Sequence, residues 1–463
     1  MIKQHPVFKR VYKKLPGVLS SAAASLYSRR MAKRKYGRTY HSWRAFLEES
    51  QFYSATECRD WQKETLSKFL LSIQRTSSYF TRDEYQALPA SKRNDPHSLI
   101  RSFPIMDKAI VRAAADGIRS VEDRDTQLRF LTSGTTGTSL AVYQDQAAYQ
   151  REYAFRWKYL SVAGAERGDR FAFFIGNNLY ETDRRKPPYH IQDSAESGLY
   201  FSIFHIAAWS IKDYVEAFNR FRPSYVKGYP SALFDYCKLA SDAGLESVPQ
   251  KAVFTASEVL HQYQRDVIED YFQAEIYQWY GQVETTVNIH ECVNHRLHVK
   301  EEYGLLELLD DDDEPVAPGE AGHAVGTSWG NHAFPLVRYR SGDNMVLAAD
   351  QQCDCGMNGR IIDRIVGRDE DVIVTPDGRR LGRLDFIFKP VTTVKESQII
   401  QTAIDAVLVR VVPEGQYGSS DERALRNILT DYLGSGMKIS FEQVDMIPRS
   451  ANGKIRYVIS DLP

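Results

Sequence analysis

From about Arg129 onward, short apolar segments alternate with longer segments whose apolar residues recur at helical spacing. FAFFIG (171–176) and KAVFTAS (251–257) have the length and composition of buried strands. KDYVEAFNRF (212–221) and HQYQRDVIEDYF (261–272) have the spacing of amphipathic helices. Alternating strands and helices are typical of α/β proteins with partly parallel sheets, so we expect an α/β fold.

Patterns in the rest of the sequence predict hairpins, a small C-terminal unit and a set of domain boundaries. Residues 305–340 have the pattern of hairpins, and we interpret the four consecutive Asp residues within them as a solvated turn rather than a metal site. Two strand patterns and a helix pattern near the C-terminus predict a small α+β unit. We therefore expect a basic helical extension at 1–58, a large domain at 59–366, a hinge at 367–371 and a small C-terminal domain at 372–463.

The nearly balanced charge of the chain argues against nucleic-acid partners. The 463 residues include 59 Lys and Arg and 60 Asp and Glu, so we expect no nucleic-acid binding. Residues 1–40, however, hold eleven Lys or Arg and no acidic residue, around an apolar run (18–27) too short to span a bilayer. Two interpretations are open: a solvated pair of basic helices, or peripheral contact with the inner face of an anionic membrane.

The cysteines indicate a compartment and a metal. Five cysteines without a clear secretory signal favour a reducing environment, and we expect a cytoplasmic protein. Cys353 and Cys355 flank one residue, and ECVNHRLH (291–298) supplies Cys292 with either His295 or His298. Two thiolates with a Cys/His pair suit tetrahedral Zn²⁺, and buried free cysteines are the alternative.

A loop rich in small residues suits an anion. In LRFLTSGTTGTSL (128–140), successive small residues let backbone N–H groups converge on a phosphate, and the hydroxyls add donors. The loop is not a Walker A motif, because Gly134 and Gly137 are three residues apart and no Lys follows. On its own the segment is equally compatible with a turn.

The loop is the first of several motifs in a fixed order. It is followed by WYGQVETT (279–286), PLVRYRSGD (335–343), VGRDEDVI (366–373) and IPRSANGKIRY (447–457). Together these resemble the adenylate-forming (ANL) superfamily over about residues 60–463. SFPIMDKAIVRA (102–113) and VKGYPSAL (226–233) are similar to its phenylacetate–CoA ligase-like branch, which includes CapK-type proteins of capsular polysaccharide biosynthesis. The resemblance implies a large N-terminal domain of α/β subdomains with a β-rich subdomain, and a small mobile α+β C-terminal domain.

The resemblance also implies a nucleotide site. The loop residues would close over the β- and γ-phosphates of ATP: Thr132, Ser133, Gly134, Thr135, Thr136 and Gly137. Adenine, ribose and phosphate contacts would come from Ser257, Glu258, Tyr280, Gly281, Arg340 and Asp343. The chain departs from the family in two places, since the Lys often found after the second loop Gly is absent and Val283 stands where Thr is usual.

Catalytic and metal residues are implied in the same way. Glu284 resembles the carboxylate that holds Mg²⁺, and Lys454 the ammonium that meets the substrate carboxylate and α-phosphate. Arg368 and Glu370 fall at the hinge. Members of this branch carry a similar Cys/His set as a structural zinc site, for which the preferred ligands are Cys292, His298, Cys353 and Cys355.

The implied activity is an ATP-dependent, AMP-forming ligase for a small carboxylic acid. Acyl transfer to CoA or to an amine would follow adenylation, in surface-polysaccharide biosynthesis by analogy with CapK. Two alternatives are open. One is an adenylyltransferase that leaves AMP on its substrate, as synthetases that adenylylate a deazaflavin coenzyme do, and the other is a nucleotide-binding protein that has lost catalysis. His205, in an apolar segment, is interpreted as a hydrogen-bonded core residue rather than a substrate contact.

Overall fold

A twelve-stranded mixed sheet passes through the larger part of the protein. The computed structural model describes residues 17–81, 98, 100–132, 140–176, 179–181, 184–366, 373–381, 384–388, 391, 393–413, 415–447 and 458–460. Its helices are α1 (Gly17–Lys35), α2 (Arg38–Ser50), α3 (Ala55–Thr76), α4 (Lys108–Ala113), α5 (Ala115–Ile118), α6 (Gln146–Leu160), α7 (Ile211–Phe221), α8 (Pro230–Asp242), α9 (Gln262–Phe272) and α10 (Ser419–Leu433).

The strands of the large domain are β1 (Leu128–Leu131), β2 (Ala141–Gln144), β3 (Phe171–Ile175), β4 (His190–Asp193), β5 (Gly198–Ser202), β6 (Tyr225–Gly228), β7 (Ala252–Ala256), β8 (Ile276–Gly281), β9 (Asn288–Glu291), β10 (Leu297–Val299), β11 (Gly304–Leu309), β12 (Ala321–Ser328), β13 (Tyr339–Leu347) and β14 (Ile361–Val366). The remaining strands are β15 (Ile373–Val374), β16 (Arg380–Leu381), β17 (Val394–Ala403), β18 (Ala406–Pro413), β19 (Lys438–Gln443) and β20 (Val458–Ser460).

The large sheet has a parallel and an antiparallel half. Its strand order is β11-β12-β13-β14-β10-β9-β8-β7-β6-β3-β5-β4. Strands β5, β3, β6, β7 and β8 are parallel to one another, whereas β4 pairs with β5 and β9 pairs with β8 in antiparallel fashion. The expected α/β fold is confirmed, with β3, β7, α7 and α9 forming at the four segments that predicted it and a β11–β12 hairpin after them.

Apolar side chains on both faces explain why the parallel half is buried. On one face, Val226 and Val253 belong to a core shared with α7, α8 and α9. On the other face, Phe254 and Tyr225 pack with Tyr159 of α6. Strands covered on both faces read as continuous apolar runs, which is the pattern of FAFFIG.

The C-terminal part is a small α+β unit. Strands β19, β18, β17 and β20 form one sheet, and β15 pairs with β16. Helix α10 packs against these strands, and its buried leucines lie in the hydrophobic core of this unit: Leu425, Leu429 and Leu433. The predicted domain boundaries stay predictions. Helix α3 begins at Ala55 and runs across the predicted start of the large domain at residue 59, and the segment 367–372, which contains the predicted hinge, lies outside the described residues.

A short 3₁₀ helix after β5 (Ile203–His205) connects the two parts. The Phe204 side chain, 1% exposed, lies in the core of the small unit, with its ring centroid 4.7 Å from that of Tyr432. The buried guanidinium of Arg379 donates to the carbonyl oxygens of Phe204 at 2.8 Å and Tyr432 at 3.1 Å. Arg185 pairs with Asp377 at 2.8 Å across the same junction.

Among the residues that the structure describes, no helix is both long enough and apolar enough to cross a bilayer.

Replacing Phe204 with Ala should weaken the protein because it leaves a cavity in the core of the small unit. We expect the free energy of unfolding to fall by about 3 kcal/mol, measured by urea denaturation. The matched control is Phe52→Ala, because Phe52 is 63% exposed. Equal stability of the two variants would contradict the packing described for Phe204.

Candidate active site and metal cluster

Two of the ordered sequence motifs, WYGQVETT and PLVRYRSGD, meet at the end of β8. Tyr280 Oη donates a hydrogen bond to Asp343 Oδ2 at 2.7 Å, although the residues lie 63 positions apart. Burial and the neighbouring Asp343 carboxylate raise the pKa of Tyr280 well above its usual range, so its hydroxyl stays protonated. Gln282 also hydrogen bonds to this hydroxyl. The arrangement fixes the half-buried Tyr280 ring beside a carboxylate.

Glu284 lies in the turn that follows β8. Its Oε1 accepts a hydrogen bond from the hydroxyl of Tyr339 at 3.0 Å, and its side chain is half-buried. Thr285, next in the turn, has φ +58, a conformation that side chains with a branched Cβ rarely adopt. The strained turn and the Tyr339 contact hold one oxygen of Glu284, and a carboxylate oxygen is the ligand that Mg²⁺ prefers.

Arg340 and Glu258 both have protein partners. Arg340 pairs with Asp313, one of the four consecutive Asp residues, while its buried Nε has no hydrogen-bond partner among the described residues. Glu258 Oε2 accepts from the backbone N–H of Ser231 at 3.0 Å, in the first turn of α8. Ser257 has φ +77 and is exposed, so the segment after β7 turns sharply at the edge of the sheet.

Thr132, the first residue of the phosphate-loop candidate, lies at the end of a pair of strands. Strands β1 and β2 pair in antiparallel fashion, and Thr132 closes their end. Its Oγ1 accepts from the N–H of Leu140 at 3.1 Å, and its own N–H donates to the Leu140 carbonyl at 2.9 Å. Ser133, Gly134, Thr135, Thr136 and Gly137 lie outside the described residues, as do Arg368, Glu370 and Lys454.

Gly281 ends β8 where the chain passes close to an indole. A Cβ at this position would come within 3.0 Å of Trp279 Cζ2. A larger residue would therefore push Trp279 aside. Trp279 itself donates from Nε1 to Asn288 Oδ1 at 3.1 Å, so its ring is held in place.

The four preferred metal ligands lie together. The ligand atoms of Cys292, His298, Cys353 and Cys355 are all within 4.8 Å of one another. Cys292 Sγ is 3.7 Å from Cys353 Sγ, and Cys355 Sγ is 3.5 Å from His298 Nε2. A tetrahedral zinc with bonds of about 2.0–2.3 Å has ligand–ligand edges of roughly 3.5–3.8 Å, so the cluster has the size of a Cys₃His site.

Local contacts separate the two candidate histidines. His298 Nδ1 bonds the carbonyl of Asn358 at 3.0 Å, which leaves Nε2 facing the thiols. Burial lowers the pKa of His298 to about 4, so the imidazole is neutral and able to act as a ligand. His295 lies in a turn with φ +56, and its Nδ1 contacts Glu291 Oε1 at 2.9 Å instead.

The cluster also ties distant parts of the chain. Asn358, in the loop between β13 and β14, donates from its backbone to the Gln51 carbonyl at 2.7 Å and from its side chain to the Ser50 carbonyl at 2.6 Å. The loop that supplies Cys353 and Cys355 is thereby attached to the end of α2.

His205, Cys58 and Cys237, which the sequence also singled out, are buried residues of the protein interior. His205 is fully buried, with Nδ1 2.8 Å from Ser202 Oγ and Nε2 2.9 Å from the Glu181 carbonyl oxygen. Burial lowers its pKa to about 4. These contacts agree with the interpretation of His205 as a hydrogen-bonded core residue. Cys58 and Cys237 are buried outside the metal cluster.

Two partners of site residues were missed at the sequence level. Tyr339, which holds Glu284, immediately precedes Arg340 inside a motif already identified, so its position was a usable signal. Asp313, which pairs with Arg340, gave no such signal because a run of Asp residues in a turn is usually solvated.

Comparison with known proteins identifies a matching family and two proteins that the chain resembles. The CapK C-terminal domain family matches residues 373–461. Protein CapK of Staphylococcus aureus is 21% identical over 460 residues, covering 98% of this chain and 99% of CapK. Phenylacetate-coenzyme A ligase of Thermus thermophilus is 34% identical over 87 residues, which cover 18% of this chain and 19% of that ligase.

Solved structures share the fold. A 2-hydroxyisobutyryl-CoA ligase in the postadenylation state superposes with a TM-score of 0.56 at 19% identity, covering 89% of this chain and 92% of that one. The same ligase with 2-HIB-AMP and CoA in the thioesterification state also gives 0.56, at 20% identity and the same coverage. The chain thus shares the fold of these ligases over most of its length, it is similar to CapK from end to end, and its residues 373–461 match the CapK C-terminal domain family.

Proposed function

We propose that this protein is an ATP-dependent, AMP-forming ligase for a carboxylic acid. The observation that carries the proposal is the Tyr280–Asp343 hydrogen bond at the carboxyl end of β8, with Glu284 in the turn that follows the strand. Open α/β sheets bind ligands outside the carboxyl ends of their parallel strands. The names of two of the proteins it resembles support the same reaction class, since one is a phenylacetate-coenzyme A ligase and the other a 2-hydroxyisobutyryl-CoA ligase.

The proposed first step joins the acid to AMP. A carboxylate oxygen attacks the α-phosphorus of ATP, the bond from that phosphorus to the bridging oxygen breaks, and pyrophosphate leaves. Asp343 would accept hydrogen bonds from the ribose hydroxyls, and the Tyr280 ring would pack on adenine. Mg²⁺, held by Glu284, would neutralise phosphate charge.

Three of the proposed roles depend wholly or mostly on residues outside the described part of the chain. Lys454 would stabilise the charge that develops on the α-phosphate during adenylation. The loop from Thr132 to Gly137 would hold the leaving phosphates through backbone N–H groups and hydroxyls, without the usual Lys. Arg368 and Glu370 would lie at the hinge about which the small domain turns between steps.

The second step transfers the acyl group. The sulfur of CoA or the nitrogen of an amine attacks the acyl carbon, loses its proton, and AMP leaves. A role in surface-polysaccharide biosynthesis rests on the likeness to CapK alone. An adenylyltransferase that stops after the first step is the second candidate, and the acceptor measurement below separates the two.

Cys292, His298, Cys353 and Cys355 are proposed to hold a structural zinc ion. Three thiolates and a neutral imidazole at tetrahedral spacing suit Zn²⁺, and four protein ligands leave no open position for catalysis. The ion would brace the β13–β14 loop, which Asn358 joins to the end of α2.

Helix α1 supports a proposal of peripheral membrane contact. Val18 and Leu26 are 81% and 72% exposed, and its C-terminal half presents the exposed cations Arg29, Arg30, Lys33 and Arg34. Exposed apolar residues next to cations favour an anionic lipid surface.

Exchange of labelled pyrophosphate into ATP tests the adenylation step. With Mg²⁺ and an acid that is a substrate, the protein should exchange label, and Lys454→Ala should reduce the rate at least about a hundredfold by removing transition-state stabilisation. Full exchange by the alanine variant would remove the role assigned to Lys454. Adding CoA or an amine should then yield AMP and an acyl product, whereas an adenylyltransferase would retain AMP on the substrate.

Metal analysis tests the zinc proposal. Protein purified without chelators should contain about one zinc per chain, and Cys355→Ser should lose most of it because one of four ligands is gone. Cys237→Ser, a buried cysteine outside the cluster, should keep its zinc. A wild-type preparation with well under half an equivalent would refute the site.

Vesicle sedimentation tests the membrane contact. The protein should sediment with vesicles of about 30% anionic lipid, and changing Arg29, Arg30 and Lys33 to Glu should abolish this by reversing the charge of the α1 surface. The charge-matched control changes Lys63, Lys68 and Lys212, on other helices, to Glu. Equal loss of sedimentation in both variants would exclude a specific role for α1.

A further inference from the structure

Two cations share one aromatic ring beside the candidate nucleotide site. The guanidinium carbon of Arg156 lies 5.0 Å from the ring centroid of Trp279, and Lys227 Nζ lies 5.5 Å from the same centroid. Arg156 is on α6, Lys227 on β6 and Trp279 on β8, so three elements converge here. Like charges brought this close repel each other, which calls for a compensating anion.

Among the described residues, the surrounding side chains compensate half of this charge. Glu152 Oε1 lies 3.6 Å from Arg156, and its other oxygen accepts from the Tyr303 hydroxyl at 2.6 Å. Lys227 makes no hydrogen bond or ion pair with any described residue, and the buried Nε of Arg156 has no partner either. Two cations and one carboxylate leave the cluster with one net positive charge and unfilled donors.

The environment of Lys227 shows the cost of this arrangement. Burial lowers its pKa to about 7, and Arg156 acts in the same direction while Glu152 opposes it. A lysine that only filled space would be replaceable by an apolar residue without this penalty. A bound anion would offset the penalty by pairing with both cations.

The cluster lies where a substrate of the adenylation step could reach it. Lys227 and Trp279 stand near the carboxyl ends of β6 and β8, with β7 between them. Trp279 directly precedes Tyr280, and successive residues of a strand face opposite sides. An acid whose reacting carboxylate lies at the end of β8 could therefore extend along the Trp279 side toward the cations.

We propose that Arg156, Lys227 and Trp279 bind a second anionic group of the acid, so that the substrate is a carboxylic acid carrying a further carboxylate or phosphate. This inference rests on the proposed function, because it assigns the substrate class of the same site. Trp279, Tyr153 and Phe173 are all half-buried there and would pack against the body of the acid between its two charged groups.

Matched acids test the inference. We would compare isophthalate with benzoate, glutarate with butyrate and phenyl phosphate with phenol, by calorimetric binding without ATP. For the two carboxylate pairs we would also measure kcat/KM in pyrophosphate exchange. The wild type should favour the dianion of each pair by about tenfold or more, since each added charge-assisted hydrogen bond strengthens binding. Lys227→Met should bring this ratio close to one, and Lys227→Arg should retain it.

The chain offers a matched control. Lys251 lies 5.6 Å from the Tyr225 ring centroid, in the same kind of contact, but it is exposed and precedes β7 at the opposite end of the strands. Lys251→Met should keep the wild-type ratio. If the two Met variants change the ratio equally, or the wild type favours none of the dianions, the inference is wrong.

The two readouts separate this inference from the proposed function. Tighter binding of a dianion that depends on Lys227, with no exchange for any acid, would refute the ligase while supporting the anion position. Exchange with monoacids and no preference for dianions would support the ligase and refute the anion position. The preference should also be larger at pH 6 than at pH 8.5, because Lys227, which faces the charged groups Arg156 and Glu152 and has a pKa of about 7, is protonated at the lower pH.

Discussion

The pairing of β8 with two different neighbours is the constraint on which the rest of the site depends. This strand is parallel to β7 and antiparallel to β9, so it joins the two halves of the large sheet. Tyr280 and Trp279 face opposite sides of it, and Glu284 follows in its turn. A register slip of one residue would exchange those faces, which would separate Tyr280 from Asp343 and Trp279 from the two cations.

The sequence was sufficient for the fold, and it placed in one site two residues that the structure brings into contact. Strand and helix patterns were local, so β3, β7, α7 and α9 could be predicted from spacing alone. The order of the motifs identified Tyr280 and Asp343 as parts of one site, and the structure brings them to 2.7 Å. Residue spacing alone left His295 as a substitute for the preferred His298, because the choice depends on a backbone turn with φ +56 and on a contact with Glu291.

Residues that meet through tertiary structure gave no signal. Arg156 and Lys227 come together only because α6 covers one face of the sheet and β7 lies between β6 and β8. Glu258 was assigned to the nucleotide, yet its observed partner is the N–H of Ser231 at the start of α8, where a carboxylate also meets the positive end of the helix dipole. Such double roles depend on strand order, which local patterns do not encode.

The junction at Phe204 has an energetic consequence for every ligand of this protein. Turning the small domain away would move the Phe204 ring from an apolar core into water. It would also break hydrogen bonds that the Arg379 guanidinium donates to carbonyl oxygens at the junction. A ligand that binds only the turned arrangement would have to supply that free energy from its own contacts, so its measured affinity would understate the strength of those contacts. With the domain turn proposed above, the junction would bias the protein toward the packed arrangement, and the ligands with the most contacts would be the ones able to overcome that bias.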